Sequence, residues 1–160
     1  MIKRIIGRDR PQTAGADEHW LDLDGLAEVE VTSEDIAHPI ESALLLRPQS
    51  ELGWKAAEPG LQILRLLFPQ PQPIKELYLE FHEFESARTQ EFVLRWSSNG
   101  GKSYRDIVRQ QYNFGPPNTT AEQEHYHVGL NHVTNLELTI VPDISGRLAR
   151  ASVTQFRIKN

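Results

Sequence analysis

Glu91-Phe92-Val93-Leu94-Arg95-Trp96, running into Ser97-Ser98-Asn99-Gly100-Gly101-Lys102-Ser103-Tyr104, is the stretch that decides the fold. Phe92, Leu94 and Trp96 alternate with Glu91, Val93 and Arg95. A period of two gives a strand one face for a core and one for water. The Ser-Asn-Gly-Gly that follows is a hairpin signal, because Asn-Gly accepts positive φ.

The same period recurs on both sides. Ala27, Val29 and Val31 alternate with Glu28, Glu30 and Thr32; Leu77, Leu79 and Phe81 with Glu76, Tyr78 and Glu80; Leu136, Leu138 and Ile140 with Asn135, Glu137 and Thr139. Each run has the one-sided character of an antiparallel sheet. Ile63 to Phe68 is apolar on both faces save Arg65 and reads as a central strand. Pro69, Pro71 and Pro73 break the chain after it, and Gly115-Pro116-Pro117-Asn118 and Pro142-Asp143 mark two further loops. A helix over Ser33 to Leu46 would be interrupted by Pro39. Short strands at this spacing predict an all-β antiparallel sandwich, a jelly roll. It is expected over 27–160, with an N-terminal arm over 1–26 packing on it.

The chain has 160 residues, enough for one domain with a real core. Its formal net charge is −5, which disfavours a general nucleic-acid binder. There are no cysteines, so disulfides and thiolate metal sites are excluded. The opening Met1-Ile2-Lys3-Arg4-Ile5-Ile6-Gly7 is too short in its apolar run for a signal peptide. No segment approaches the roughly 20 apolar residues of a membrane span. The expectation is a cytoplasmic protein with no membrane partner.

Alternating strand directions place the loops. With the 74–81 strand running up, 82–89 lies at the top, 98–101 at the bottom, and 113–121 and 142–151 at the top. Running backwards, 53–60 is also at the top. Rigid scaffolds carry function on such converging loops.

Four stretches, in order, resemble the discoidin-like, galactose-binding-domain-like family, including its family 32 carbohydrate-binding modules. They are Gly53-Trp54-Lys55 with Pro59-Gly60 and Gln62 to Phe68; Ile74 to Phe81; Glu91 to Tyr104; and Leu136 to Ile140 with Val153 to Ile158. The resemblance covers roughly residues 27 to 158. It implies a β-sandwich that binds a sugar, lipid, nucleic acid or protein through loops at one end. Many such domains carry a structural calcium near an Asn-x-x-Asp-Gly turn. The corresponding Glu41-Ser42-Ala43-Leu44-Leu45 lacks the Asp-Gly, so no calcium and no other cofactor is expected.

The expected ligand contacts are Trp54, Arg88, Asn113 and Asp143. An aromatic face suits the apolar side of a sugar ring, and amide, carboxylate and guanidinium groups suit its hydroxyls. Alternative roles stay open: Trp54 as a cap on the core, Arg88 as a solvated charge or partner of Glu85, Phe114 as an inward anchor. A non-catalytic carbohydrate-binding module leads; an intracellular domain that binds a protein partner or nucleic acid through the same loop end is the alternative. No G-x-S-x-G, P-loop or G-x-G-x-x-G points to an enzyme. Glu83 and Glu85, with Glu80 nearby, form an acidic pair, but nothing sets the carboxylate separation that a glycosidase requires.

His125-Tyr126-His127 is the sharpest metal-like motif. Residues two apart on a strand share a face, so both imidazoles point outward while Tyr126 and Val128 point to the core. The flanking positions that a cupin site would use hold Thr119, Asn131 and His132. With no third ligand in view, the pair reads as inert. Lys102, Arg105, Arg109 and Arg95 read as a solvated strand face.

Overall fold

The computed structural model describes residues 19–47 and 52–160, so 1–18 of the expected arm lie outside the described residues. In chain order the elements are β1 (Glu28–Val31), α1 (Glu41–Leu44), β2 (Trp54–Lys55), β3 (Gln62–His82), β4 (Arg88–Ser97), β5 (Arg105–Phe114), β6 (Ala121–Val141), β7 (Ser152–Val153) and β8 (Gln155–Lys159). Every pairing is antiparallel, and the fold is an all-β sandwich.

β3 and β6 build both layers. The first half of β3 and the second half of β6 form one layer with β1, β4 and β5; the other halves form a second layer with β8. The prolines after Phe68 therefore bend the strand rather than end it. Spaced two apart, Pro69, Pro71 and Pro73 put their missing donors on one side of the strand. That side has no partner there, because β1 pairs with residues 64–67 and β8 with 76–80. On the other side β6 stays paired through register shifts between Leu67 and Glu76, with His132 in the left-handed region at φ 59°. Such bulges let a paired ribbon turn a corner. The 136–140 run is likewise the last part of one long strand, β6, which starts at Ala121 and turns the same corner.

Between the layers Leu64, Leu66, Phe68, Phe92, Leu94, Leu136, Leu138 and Ile140 meet Ile74, Leu77, Leu79, Phe81, Phe156 and Ile158, all buried. Phe81 stacks on Phe92 across the layers at 5.2 Å. Two inward-facing expectations fall short. Val29 is 38% exposed on the edge strand β1, and Trp96 is only partly buried, with Arg105 5.8 Å over its ring. The five-stranded layer is wider than the three-stranded one, so its margins go uncovered. In the turn after β4 the positive φ falls on Gly100 and Gly101, not on Asn99. Asn99 instead receives the Ser97 hydroxyl at 2.7 Å.

Pro39 does precede the helix: α1 is a single turn starting at Glu41, packed on β8. Arg157, buried on β8, donates to the carbonyl of Ala43 at 2.7 Å. Of the arm, Trp20 and Leu23 are buried, and the amide of Leu21 bonds the carbonyl of Ile158 at 2.7 Å. Among the described residues no helix is long and apolar enough to cross a membrane.

Candidate functional site

The loops 82–88 and 143–150 and the β2 segment meet at one end of the sandwich, around a cleft of about 460 Å³. β3 and β6 deliver His82 and Ala121 side by side to that end, and β4 starts and β6 finishes there. β2 closes it by pairing with β7. This pairing needs a glycine at 53: φ is 74°, and a Cβ would stand 2.3 Å from the carbonyl oxygen of Val153.

Trp54, Arg88 and Asp143 all line the cleft; Asn113 does not. Trp54 is fully buried, and its indole Nε1 donates to the carbonyl of Ser33 at 3.0 Å. It belongs to the core. Asn113 is exposed on β5, where its Oδ1 accepts from the Thr89 hydroxyl at 2.7 Å.

Arg88 corrects the expectation of an exposed side chain, since only 3% of it is accessible. Its Nε donates to Glu83 at 2.7 Å, not to Glu85, and one terminal nitrogen reaches the carbonyl of Pro142 at 2.8 Å and Gln90 at 3.2 Å. The guanidinium carbon lies 4.7 Å over the Phe114 ring, and Phe114 is the inward anchor. One cation thus ties together the 82–88, 113–121 and 142–151 loops. Burial pushes the Glu83 carboxyl up, but hydrogen bonds from Arg88 and from the amides of Glu85 and Ser86 outweigh it and hold it below its ordinary value. Asp143 is likewise structural. The hydroxyl and amide of Ser145 bond its Oδ1 at 2.7 and 3.0 Å, holding its carboxyl low, and Arg147 sits 3.2 Å from Oδ2.

Next to Arg88, Gln90 donates to Glu122 at 3.1 Å, and both are buried. Burial, added to by the neighbouring Glu124 carboxyl, pushes Glu122 up to about 8, so it holds a proton at neutral pH. Glu80 is occupied as well, by Tyr78, Gln123 and His82.

Phe84, which sequence reasoning passed over, is the aromatic that the cleft displays. It is 69% exposed and stacks on the His82 ring at 5.5 Å and 17°. The signal was available: an aromatic between Glu83 and Glu85 in a loop has no apolar neighbour in sequence to bury it. Lys55, Glu85 and Arg150 complete the polar wall.

No family model and no curated protein matches the sequence. Solved structures do match. A family 32 module from NanJ of C. perfringens, in complex with galactose, superposes at TM-score 0.57 with 12% identity, covering 82% of this chain and 92% of that one. A further such module, from a family 31 glycoside hydrolase of Clostridium perfringens, gives 0.59 at 14% identity, covering 93% and 99%. The family 32 module of AlyQ, in complex with 4,5-unsaturated mannuronic acid, gives 0.56 at 14%, covering 89% and 99%.

The chain has the discoidin-like, galactose-binding-domain-like fold. In this fold the Glu41–Leu44 segment, which lacks an Asp-Gly, is the helical turn α1. The basic strand face is largely neutralised: Arg95 lies 3.2 Å from Asp106 and 3.5 Å from Glu137, and Arg109 pairs with Glu91. Beside the histidine motif the structure places a carboxylate. Glu76, directly across β3 from His127, stands 3.1 Å from it and 3.7 Å from His125.

Proposed function

We propose that this domain is a non-catalytic module that binds carbohydrate in the cleft between the 82–88 and 143–150 loops. The observation that carries the reading is Phe84, held flat against His82 and exposed beside a concave wall with Lys55, Glu85 and Arg150. A sugar ring offers an apolar face of C–H groups to an aromatic, worth about 1 kcal/mol by analogy with aromatic pairs, while its hydroxyls take the charged groups. Arg88 and Asp143 hold the loops in place behind that surface. The kinship of fold with modules solved in complex with galactose and with an unsaturated mannuronic acid supports it. A glycan array followed by chemical-shift mapping tests it. Shifts should cluster on 82–88 and 147–150, and Phe84→Ala should weaken binding about fivefold or more while leaving the melting temperature unchanged. Shifts centred on the 98–101 turn would overturn it. A protein partner at the same end is the second reading, favoured by Leu52, Phe84 and Leu148, which line the cleft and are 69%, 69% and 90% exposed. Capture of a protein competing for the Phe84 surface, with no glycan bound, would favour it.

A further inference from the structure

The outer face of the three-stranded layer carries a second constellation, and none of its residues lines the cleft. His125 and His127 stand two apart on β6, on one face. Glu76 on β3 is the cross-strand partner of His127 and the diagonal neighbour of His125. The Glu76 Oε1 lies 3.1 Å from Nδ1 of His127 and 3.7 Å from Nε2 of His125, and the three candidate ligand atoms all fall within 4.8 Å of one another.

We infer that Glu76, His125 and His127 form a binding site for a divalent transition metal ion such as zinc or nickel. The donor set is two imidazoles and one carboxylate, which suits such ions; calcium takes six to eight oxygens. With metal–ligand bonds of about 2.0 to 2.1 Å, tetrahedral donors stand about 3.3 Å apart. The two measured separations to Glu76 bracket that value. All three donor atoms lie within 4.8 Å of one another, and the 75% exposed side chain of His127 has room to rotate toward a shared ion.

The backbone needs no ordering, because hydrogen-bonded strands hold all three residues in register. Their neighbours orient them further. Lys159 donates to Oε2 of Glu76 at 3.1 Å, which leaves Oε1 turned to the imidazoles. His125 packs against the paired Trp20 and Tyr78 rings, 6.0 and 6.1 Å away, which restricts its ring. Such supporting contacts set ligand geometry in metal sites. The Lys159 ammonium also repels a bound cation and keeps the affinity modest. The exposure of His127 leaves the remaining coordination positions open to solvent or to a donor from a partner.

Calorimetric titration of the whole chain with zinc chloride, and separately with nickel chloride, at pH 7.5 tests the site. One equivalent should bind with micromolar affinity. His125→Ala, His127→Ala and Glu76→Gln should each weaken it about tenfold or more. Lys159→Met should tighten it several-fold, and His38→Ala, remote from the cluster, should change nothing. Circular dichroism confirms that each variant is folded, and His127→Ala is safest because that side chain is exposed. Absence of binding at millimolar metal would overturn the inference. So would stoichiometry above one that survives the His125→Ala/His127→Ala double change, which marks adsorption to scattered histidines.

Discussion

Removing the Arg88 side chain separates the two roles that this residue could have. As an exposed ligand contact, Arg88→Ala would leave stability untouched. As the buried tie seen here, it loses a charge-assisted bond to Glu83 at 2.7 Å, a bond to the Pro142 carbonyl at 2.8 Å, a longer one to Gln90, and its place over Phe114. Hydrogen bonds to charged groups contribute about 1.5 to 3 kcal/mol each, but these share one guanidinium and do not add. Deleting one partner of a buried ion pair costs about 3 to 5 kcal/mol. Glu83 keeps two amide donors and part of its exposure, which places the expected loss near the lower end, about 3 kcal/mol. Urea unfolding followed by tryptophan fluorescence measures it. Arg88→Lys should recover part, since an ammonium reaches fewer of these acceptors. Amide exchange should also quicken at Ile144, whose N–H bonds Thr89 at 2.9 Å in the loop that Arg88 secures. A loss below about 1 kcal/mol, with normal protection at Ile144, would refute the argument.

Leu138 is fully buried between β3 and β4, so Leu138→Ala should cost about 2 to 5 kcal/mol in a denaturant titration, and a loss below about 0.5 would count against its place in the core. Glu122 is protonated in the folded domain and ionised at neutral pH when unfolded; a carboxyl raised from 4.5 to about 8 contributes its full stability below pH 4.5 and loses it as pH rises through 8. Glu122→Gln should therefore gain on the parent protein by an amount that grows across that window to a few kcal/mol; a difference independent of pH, measured by thermal melts between pH 4 and 9, would refute it.

The period-two runs at 77–81, 92–94 and 136–140 determined the fold class, because a strand that buries one face must write that face at alternate positions. They also determined which end gathers the loops, since each antiparallel reversal flips direction by one. Contacts that depend on residues far apart were not legible. Arg88 reads as one more loop arginine until Pro142 and Phe114 are seen around it, and its burial follows from acceptors on three separate segments. The proline run was read as a break, and only the continued pairing of β6 shows it to be a corner. The third member of the histidine constellation lies 49 positions upstream of His125, at Glu76, and strand register alone brings it there. Alternation is a local property that each strand carries in its own residues; register, loop ties and clefts are relations between strands, and they exist only once the sandwich has closed.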